Sequence, residues 1–249
     1  MKNIKKFLKS IIPEILFKTY RNFLVKIFGL EYRFKGMSSV DIFDKIYKDS
    51  VWGEDKSGNP TSGYGSQRIE IVAPYVKVVK KMIKELHCSR IVDLGCGDFN
   101  VGKNFIKNCD KYIACDISDF ILNQNRQRYS YNNLEYKKIN LAEDDLPIGD
   151  LAFVRLVLQH LCNNDIKNFV DYINKHKPYK YLLVTEHMVS SDSYSPNLDK
   201  PSGSNIRLLI DSAVELDKKP FNLQFKTKRI MCNISEVIIG NIESILYEF

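Results

Sequence analysis

Between residues 67 and 186, short apolar runs alternate with longer stretches whose apolar residues recur every three or four positions. The first pattern suits strands and the second suits helices. Their order predicts a helix over 67–86, a strand over 90–94, a helix over 101–108, a strand over 112–116, a helix over 119–129 and a strand over 134–139. A strand over 150–155, a helix over 164–176 and a strand over 180–186 follow. Parallel neighbours must be joined by a crossover, so this rhythm points to an open parallel sheet with helices on both faces. Residues 226–232 and 242–248 read as two more strands. The segment 188–222 is polar, rich in Ser, Asp, Pro and Lys, and too long for an ordinary connection, so it reads as a functional insertion or a lid.

At 249 residues the chain can bury one α/β core and carry an appendage. Residues 1–36 read as that appendage, and 37–249 as the main domain. The first 36 residues hold nine Lys and Arg against Glu14 and Glu31, which accounts for the whole net charge of +7. Within residues 1–28, Ile4, Phe7, Leu8, Ile11, Ile15, Phe23 and Ile27 recur at helical spacing with cations between them, and Pro13 breaks the run. Two roles fit this basic amphipathic segment: a helix packed on the domain or on a second subunit as a homodimer element, or a helix lying on a membrane surface. The remainder is electrically balanced, which argues against a nucleic-acid partner there. No apolar run reaches the ~18 to 20 residues that span a bilayer. The six cysteines form no CxxC pair, so neither a metal site nor a disulfide framework is expected. These features predict a cytoplasmic protein with reduced thiols, peripheral at the inner membrane face if the first helix is a surface helix.

The turn after the first strand carries the chemistry. In IVDLGCGDFNVGKNF, residues 91–105, glycines between a strand and a predicted helix let backbone N–H groups approach a ligand. A dinucleotide turn reads G-x-G-x-x-G, but from Gly95 and Gly97 the third place falls at Asn100. A P-loop reads G-x-x-x-x-G-K-[ST]; Gly97, Gly102 and Lys103 fit it, but Asn104 offers no hydroxyl to a magnesium ion. Asp98 would also put a carboxylate into a phosphate cradle. The D-x-G-x-G pattern of Asp93, Gly95 and Gly97 is complete. A second strand, in YIACDIS, ends at Asp116, where an acid can accept hydrogen bonds from both hydroxyls of a ribose.

This set resembles the class I S-adenosylmethionine-dependent methyltransferases. Their cofactor carries no phosphate, and its zwitterionic methionyl part and sulfonium suit carboxylates near the turn. The resemblance covers about residues 67–186 and implies an α/β, Rossmann-like doubly wound sheet, mostly parallel with an antiparallel C-terminal strand, beside the N-terminal helical extension. It implies that Asp98 faces the methionyl end, that Asp116 holds the adenosyl ribose, and that Asn140 and Leu141, in KKINLAEDDLP, hold adenine. Cys96 and Ile117 belong to the same cofactor set. A narrower resemblance rests on FDKIYKDSVWG, SGYGS, GCGDF, VRLVLQHL and YLLVTEH, which look like a subgroup of bacterial methyltransferases. It adds Trp52 and Ser66 to the cofactor set, with Tyr64 as a further aromatic over cofactor or acceptor. The basic start looks like the N-termini of methyltransferases from surface-polysaccharide (capsule and O-antigen) gene clusters. The chain departs from the subgroup on the acceptor side, with Leu156 where an acid often follows the arginine and TEHM in place of T-T-H-P.

Methyl transfer is an in-line displacement, so the protein must align an acceptor and exclude water. His160, after the fourth strand, reads as a proton acceptor or as an imidazole satisfied at the start of the next helix. His187, beyond the fifth strand and beside Glu186, is the second candidate. Arg155 reads as a contact to an acceptor carboxylate or phosphate, or as a bridge to a neighbouring acid. Asn197, Asp199 and Arg207 are candidates for lining a lid. The expected activity is transfer of a methyl group to an oxygen of a small, polar, glycan-related or phosphorylated acceptor. An N-methyltransferase on an amino sugar or amide, and a non-catalytic cofactor-binding partner subunit, are the alternatives.

Overall fold

The computed structural model describes residues 29–189, 194–236 and 240–249. The chain divides into two compact units, Met1–Gly36 and Met37–Phe249. In the first, the described part carries a 3-10 turn over Tyr32–Phe34. The amphipathic stretch 1–28, with its membrane-surface and dimer roles, lies outside the described residues.

The second unit is built around β1 (Arg90–Leu94), whose Ile91, Val92 and Leu94 are fully buried. It pairs in parallel with β2 (Lys111–Asp116) on one side and β4 (Gly149–Arg155) on the other. β3 (Leu134–Lys138) extends the sheet beyond β2, and β5 (Tyr179–Met188) extends it beyond β4, both in parallel. The C-terminal hairpin of β6 (Thr227–Glu236) and β7 (Gly240–Glu248) completes seven strands in the order β3-β2-β1-β4-β5-β7-β6, and β7 is antiparallel to both neighbours. This is a Rossmann-like sheet. The strand order reverses between β1 and β4, which opens a crevice at their carboxyl ends.

Helices form where the apolar spacing allows a buried stripe. α1 (Ser39–Lys48) starts at Ser38, whose hydroxyl accepts from Asp41 N at 3.2 Å, and it buries Ile42, Phe43, Ile46 and Tyr47. The sequence reading assigned no element there. The predicted helix 67–86 is two helices, α2 (Tyr64–Gln67) and α3 (Ile69–Glu85), separated by the extended residue Arg68. α4 (Asp119–Arg128) and α5 (Asn163–His176) follow β2 and β4. The predicted helix 101–108 does not form; two 3-10 turns, Gly102–Asn104 and Ile106–Asn108, stand in its place. Side-chain amides take the carbonyls an α-helix would use: Asn104 Nδ2 donates to the carbonyls of Asn100 and Val101, and Asn133 Nδ2 to those of Ile106 and Cys109.

The described part of the polar segment, residues 194–222, is irregular apart from a 3-10 turn over Arg207–Ile210, and it packs Ala213, Val214, Leu216 and Phe221 into the core. No helix among the described residues is long and apolar enough to cross a membrane.

Candidate active site

At the crevice between β1 and β4 lies a cavity of about 1010 Å³, counting the space open to solvent. The β1 turn, the loop 53–66, the end of β2 and the turn after β4 build its walls.

The glycines of the β1 turn are there because other segments touch them. Gly95 has φ +83°, and a Cβ on it would lie 2.4 Å from Val157 Cγ2 of the β4 turn. Gly97 has φ +55°, and its Cβ would lie 2.0 Å from Ser62 Oγ. Ser62 is stitched to Asp98: its Oγ accepts from Asp98 N at 2.8 Å, and its N donates to Asp98 Oδ2 at 3.2 Å. Gln67 Nε2 donates to the same Oδ2, and Asn100 N to Oδ1 at 3.2 Å. Asp98 thus binds the SGYGS loop to the glycine turn while lining the cavity; burial raises its pKa.

Two more carboxylates sit at this end. Asp93 accepts from Tyr112 Oη at 2.8 Å, and burial pushes its pKa up to about 7. Asp116 accepts from Gly97 N and Ser118 N, each at 3.0 Å, and burial pushes it up to about 6 against those donors. Cys96, Ile117, Asn140 and Leu141 line the same end. Asn140 is ordered locally: its Oδ1 accepts from Ala142 N at 3.1 Å, and its N donates to Asp144 Oδ2 at 2.7 Å.

The far wall comes from β4 and β5. Arg155 lines the cavity, but its terminal nitrogens are taken: Nη1 donates to Ser66 Oγ at 3.2 Å and Nη2 to the Gly65 carbonyl at 2.6 Å. Its guanidinium lies 4.9 Å from the centre of the Tyr75 ring. Arg155 therefore braces α2 against the sheet. Glu186 lies behind the β4 turn, where Oε1 accepts from Val157 N (3.0 Å) and Leu158 N (2.8 Å) and Oε2 from Gln159 N (3.3 Å). Burial outweighs these three donors and moves its pKa up to about 8. His187 bonds Gln159 Oε1 through Nδ1 at 2.5 Å and does not line the cavity.

His160 does line it, its ring tilted at 45° to Trp52 with 4.8 Å between centroids. Burial and the nearby Lys200 charge push its pKa down to about 3. The backbone at Gly203 and Asn205 raises it slightly, yet Nδ1 has no partner in hydrogen-bond geometry. Trp52 is fixed by Nε1 donating to the Ser204 carbonyl at 3.2 Å and by edge contact with Tyr47 at 5.4 Å.

The structure thus brings Trp52, Ser66, Asp93, Gly95, Cys96, Gly97, Asp98, Asp116, Ile117, Asn140, Leu141, Arg155 and His160 to one cavity. Glu186, His187, Tyr64, Asn197, Asp199 and Arg207 stand outside its lining. Asn197 and Arg207 pin the polar segment instead: Asn197 Nδ2 donates to the Glu215 and Lys219 carbonyls, and Arg207 Nη2 to the Leu161 carbonyl at 2.7 Å. Asp199 caps α5 by accepting from Asn163 N at 2.7 Å. The lining also includes Ser39, Phe43, Tyr47 and Asp165, which the sequence reading missed. The available signals were Ser38 as a cap ahead of an amphipathic run, and an acid in the first turn of the helix after β4.

The fold is that of the class I S-adenosylmethionine-dependent methyltransferases. Among solved structures, it is similar to the N-methyltransferase NodS from Bradyrhizobium japonicum WM9 in complex with S-adenosyl-L-homocysteine, with a TM-score of 0.58, 11% identity, and 82% of this chain and 99% of that chain covered. Human N-acetylserotonin methyltransferase in complex with SAM gives 0.55 at 15% identity over 86% of this chain, which spans 60% of that one. The methyltransferase domain of bacterial CtHen1 gives 0.53 at 17% identity, covering 70% of this chain and 97% of that domain. No family model and no curated protein matches the sequence.

Proposed function

We propose that the protein is a methyltransferase that uses S-adenosylmethionine to methylate an oxygen of a small polar acceptor. The observation that carries this reading is the chemistry of the cavity's β1–β2 end: Asp93, Asp98 and Asp116 line it, while Arg155, the one Arg of the lining among the described residues, sits in the far wall on Ser66 and Gly65. A phosphate-bearing cofactor would be repelled there, whereas a sulfonium and an ammonium are attracted. Asp116 would accept from the ribose hydroxyls, Asn140 and Leu141 would flank adenine, and the Asp93 side of the turn would hold the methionyl group.

The cofactor supplies a methyl group already activated for displacement, so the chain's own task is orientation and exclusion of water. Trp52, Tyr47 and Phe43 form an apolar cover. His160 is neutral at physiological pH, and a pKa of about 3 makes it a weak base. Its role is to orient the acceptor by hydrogen bonding, with alignment supplying most of the rate. A glycan-related acceptor from surface-polysaccharide synthesis is the finer reading, supported by the sequence resemblance of the loop motifs and the basic N-terminus.

Calorimetric titration with S-adenosylhomocysteine tests this. Wild type should bind, and Asp116→Ala should bind about 1.5–3 kcal/mol more weakly, the usual loss for hydrogen bonds to a charged acceptor. Unchanged affinity in a folded variant would remove Asp116 from the site, and no binding by wild type would defeat the reading.

A further inference from the structure

The acceptor end of the cavity is formed by Ser39 and Phe43 of α1, by Trp52, by His160 and Leu161 after β4, and by Asp165 in the first turn of α5. Its polarity is lopsided. Among the described residues Asp165 is its only carboxylate, and both bonds to that side chain fall on Oδ2, from Ser39 Oγ at 3.3 Å and Ser202 Oγ at 3.1 Å. Oδ1 is left for a ligand.

Among the described residues, the lining of this end holds no Lys or Arg. Arg155 lies in the neighbouring wall, where it donates to the neutral Ser66 Oγ and Gly65 carbonyl of α2. Lys200, whose charge lowers the His160 pKa, is outside the lining and donates to the carbonyls of His160 (3.3 Å) and Pro201 (2.7 Å). The start of α5 would be the natural anion seat, but protein takes two of its N–H groups: Cys162 N donates to Ser202 Oγ at 2.9 Å and Asn163 N to the Asp199 carboxylate at 2.7 Å. His160, 8% exposed, offers an unpartnered Nδ1 and no charge.

Resting on the methyltransferase reading above, we propose that the acceptor is a neutral or amine-bearing ring without phosphate or carboxylate. Its apolar face seats on Phe43 and Trp52, and its hydroxyl or ammonium donors face Asp165 Oδ1. The two aromatic rings lie 6.3 Å apart at 41°, which forms an angled apolar wall, and the carboxylate rejects like charge beside it. This narrows the acceptor class: a phosphorylated ring would set its charge beside the Asp165 carboxylate, and an amino sugar stands on the same footing as a neutral one.

The experiment uses the full chain saturated with S-adenosylhomocysteine, whose own binding is measured first; failure there defeats the methyltransferase reading and not this one. A neutral hexose, an amino hexose and the 6-phosphate of each are then titrated by ligand-observed NMR. The expected result is binding of an unphosphorylated ring, with each phosphate at least about tenfold weaker. Asp165→Asn, which keeps an oxygen for the two serine hydroxyls, should cost the amino hexose about tenfold and shrink the phosphate penalty. Equal or tighter binding of the phosphates, an unchanged preference in a folded Asp165→Asn protein, or no binding of any of the four would overturn the proposal.

Discussion

Gly97 shows how little room the site leaves at the level of one residue. A methyl group there meets Ser62 Oγ at 2.0 Å and forces an L side chain to φ +55°. Gly97→Ala should therefore destabilise the protein by at least about 2 kcal/mol in urea unfolding and abolish S-adenosylhomocysteine binding. Adding Ser62→Gly should return part of this, leaving the left-handed penalty of about 1–2 kcal/mol and the lost bond from Asp98 N to the serine hydroxyl. An alanine variant as stable as wild type would mean the two loops can separate freely. Gly95 and Gly97 were legible in the sequence because a turn between a strand and a following segment leaves a local signature. Leu156 and Phe99, at φ +56° and +60°, left none. Leu156 is held there by tertiary contacts, its N donating to the Thr185 carbonyl at 2.7 Å and its Cδ1 packing over Gly65. His160 and Arg155 were found by position, but their burial and partners depend on strands far away in the chain. Those partners decide what the groups can do.

Between elements, Glu186 is the device that ties the end of β5 to the turn after β4. Three backbone N–H groups of that turn depend on its carboxylate. Glu186→Ala should cost about 3 kcal/mol or more, since each buried donor left unpaired costs about 1–3 kcal/mol. Glu186→Gln keeps one oxygen for Val157 and Leu158 and should cost less. The folded pKa of about 8 lies above the unfolded value, so the native state holds this proton longer, and stability falls as pH rises through that interval. The gap between wild type and the glutamine variant should therefore narrow from about pH 4.5 to 8. A gap that widens would show that the three donors outweigh burial. The central strands were legible because each is a nearly continuous apolar run. The 101–108 region was misread because its apolar spacing is helical while its asparagines cap carbonyls locally, and periodicity is blind to that competition. α1 was missed because its short stripe sits among polar residues.

Across the whole molecule, the buried titratable groups pull in two directions. Asp93 (about 7), Asp116 (about 6) and Glu186 (about 8) are all raised by burial, so the folded state binds protons that the unfolded state has released, and stability declines as pH rises. His160 (about 3) and His187 (about 4) are lowered, so the unfolded state takes up protons first as pH falls below about 6.5, and stability declines in that direction. Between about pH 5 and 6.5 the two sets partly cancel; above that range the histidines drop out and the acids act alone. Because the three acids hold more protons than the two histidines release, the Tm of the free protein should fall steadily from about pH 5 to 8. A sulfonium-bearing ligand changes the balance, because a cation beside Asp93, Asp98 and Asp116 favours their ionised forms. The increase in Tm produced by S-adenosylmethionine should therefore be larger at pH 8 than at pH 6. S-adenosylhomocysteine, which lacks the sulfonium charge, should show a smaller change over the same range. A free protein whose Tm rises from pH 6.5 to 8, or a ligand increment that shrinks with pH, would mean that these carboxylates are already ionised in the empty site.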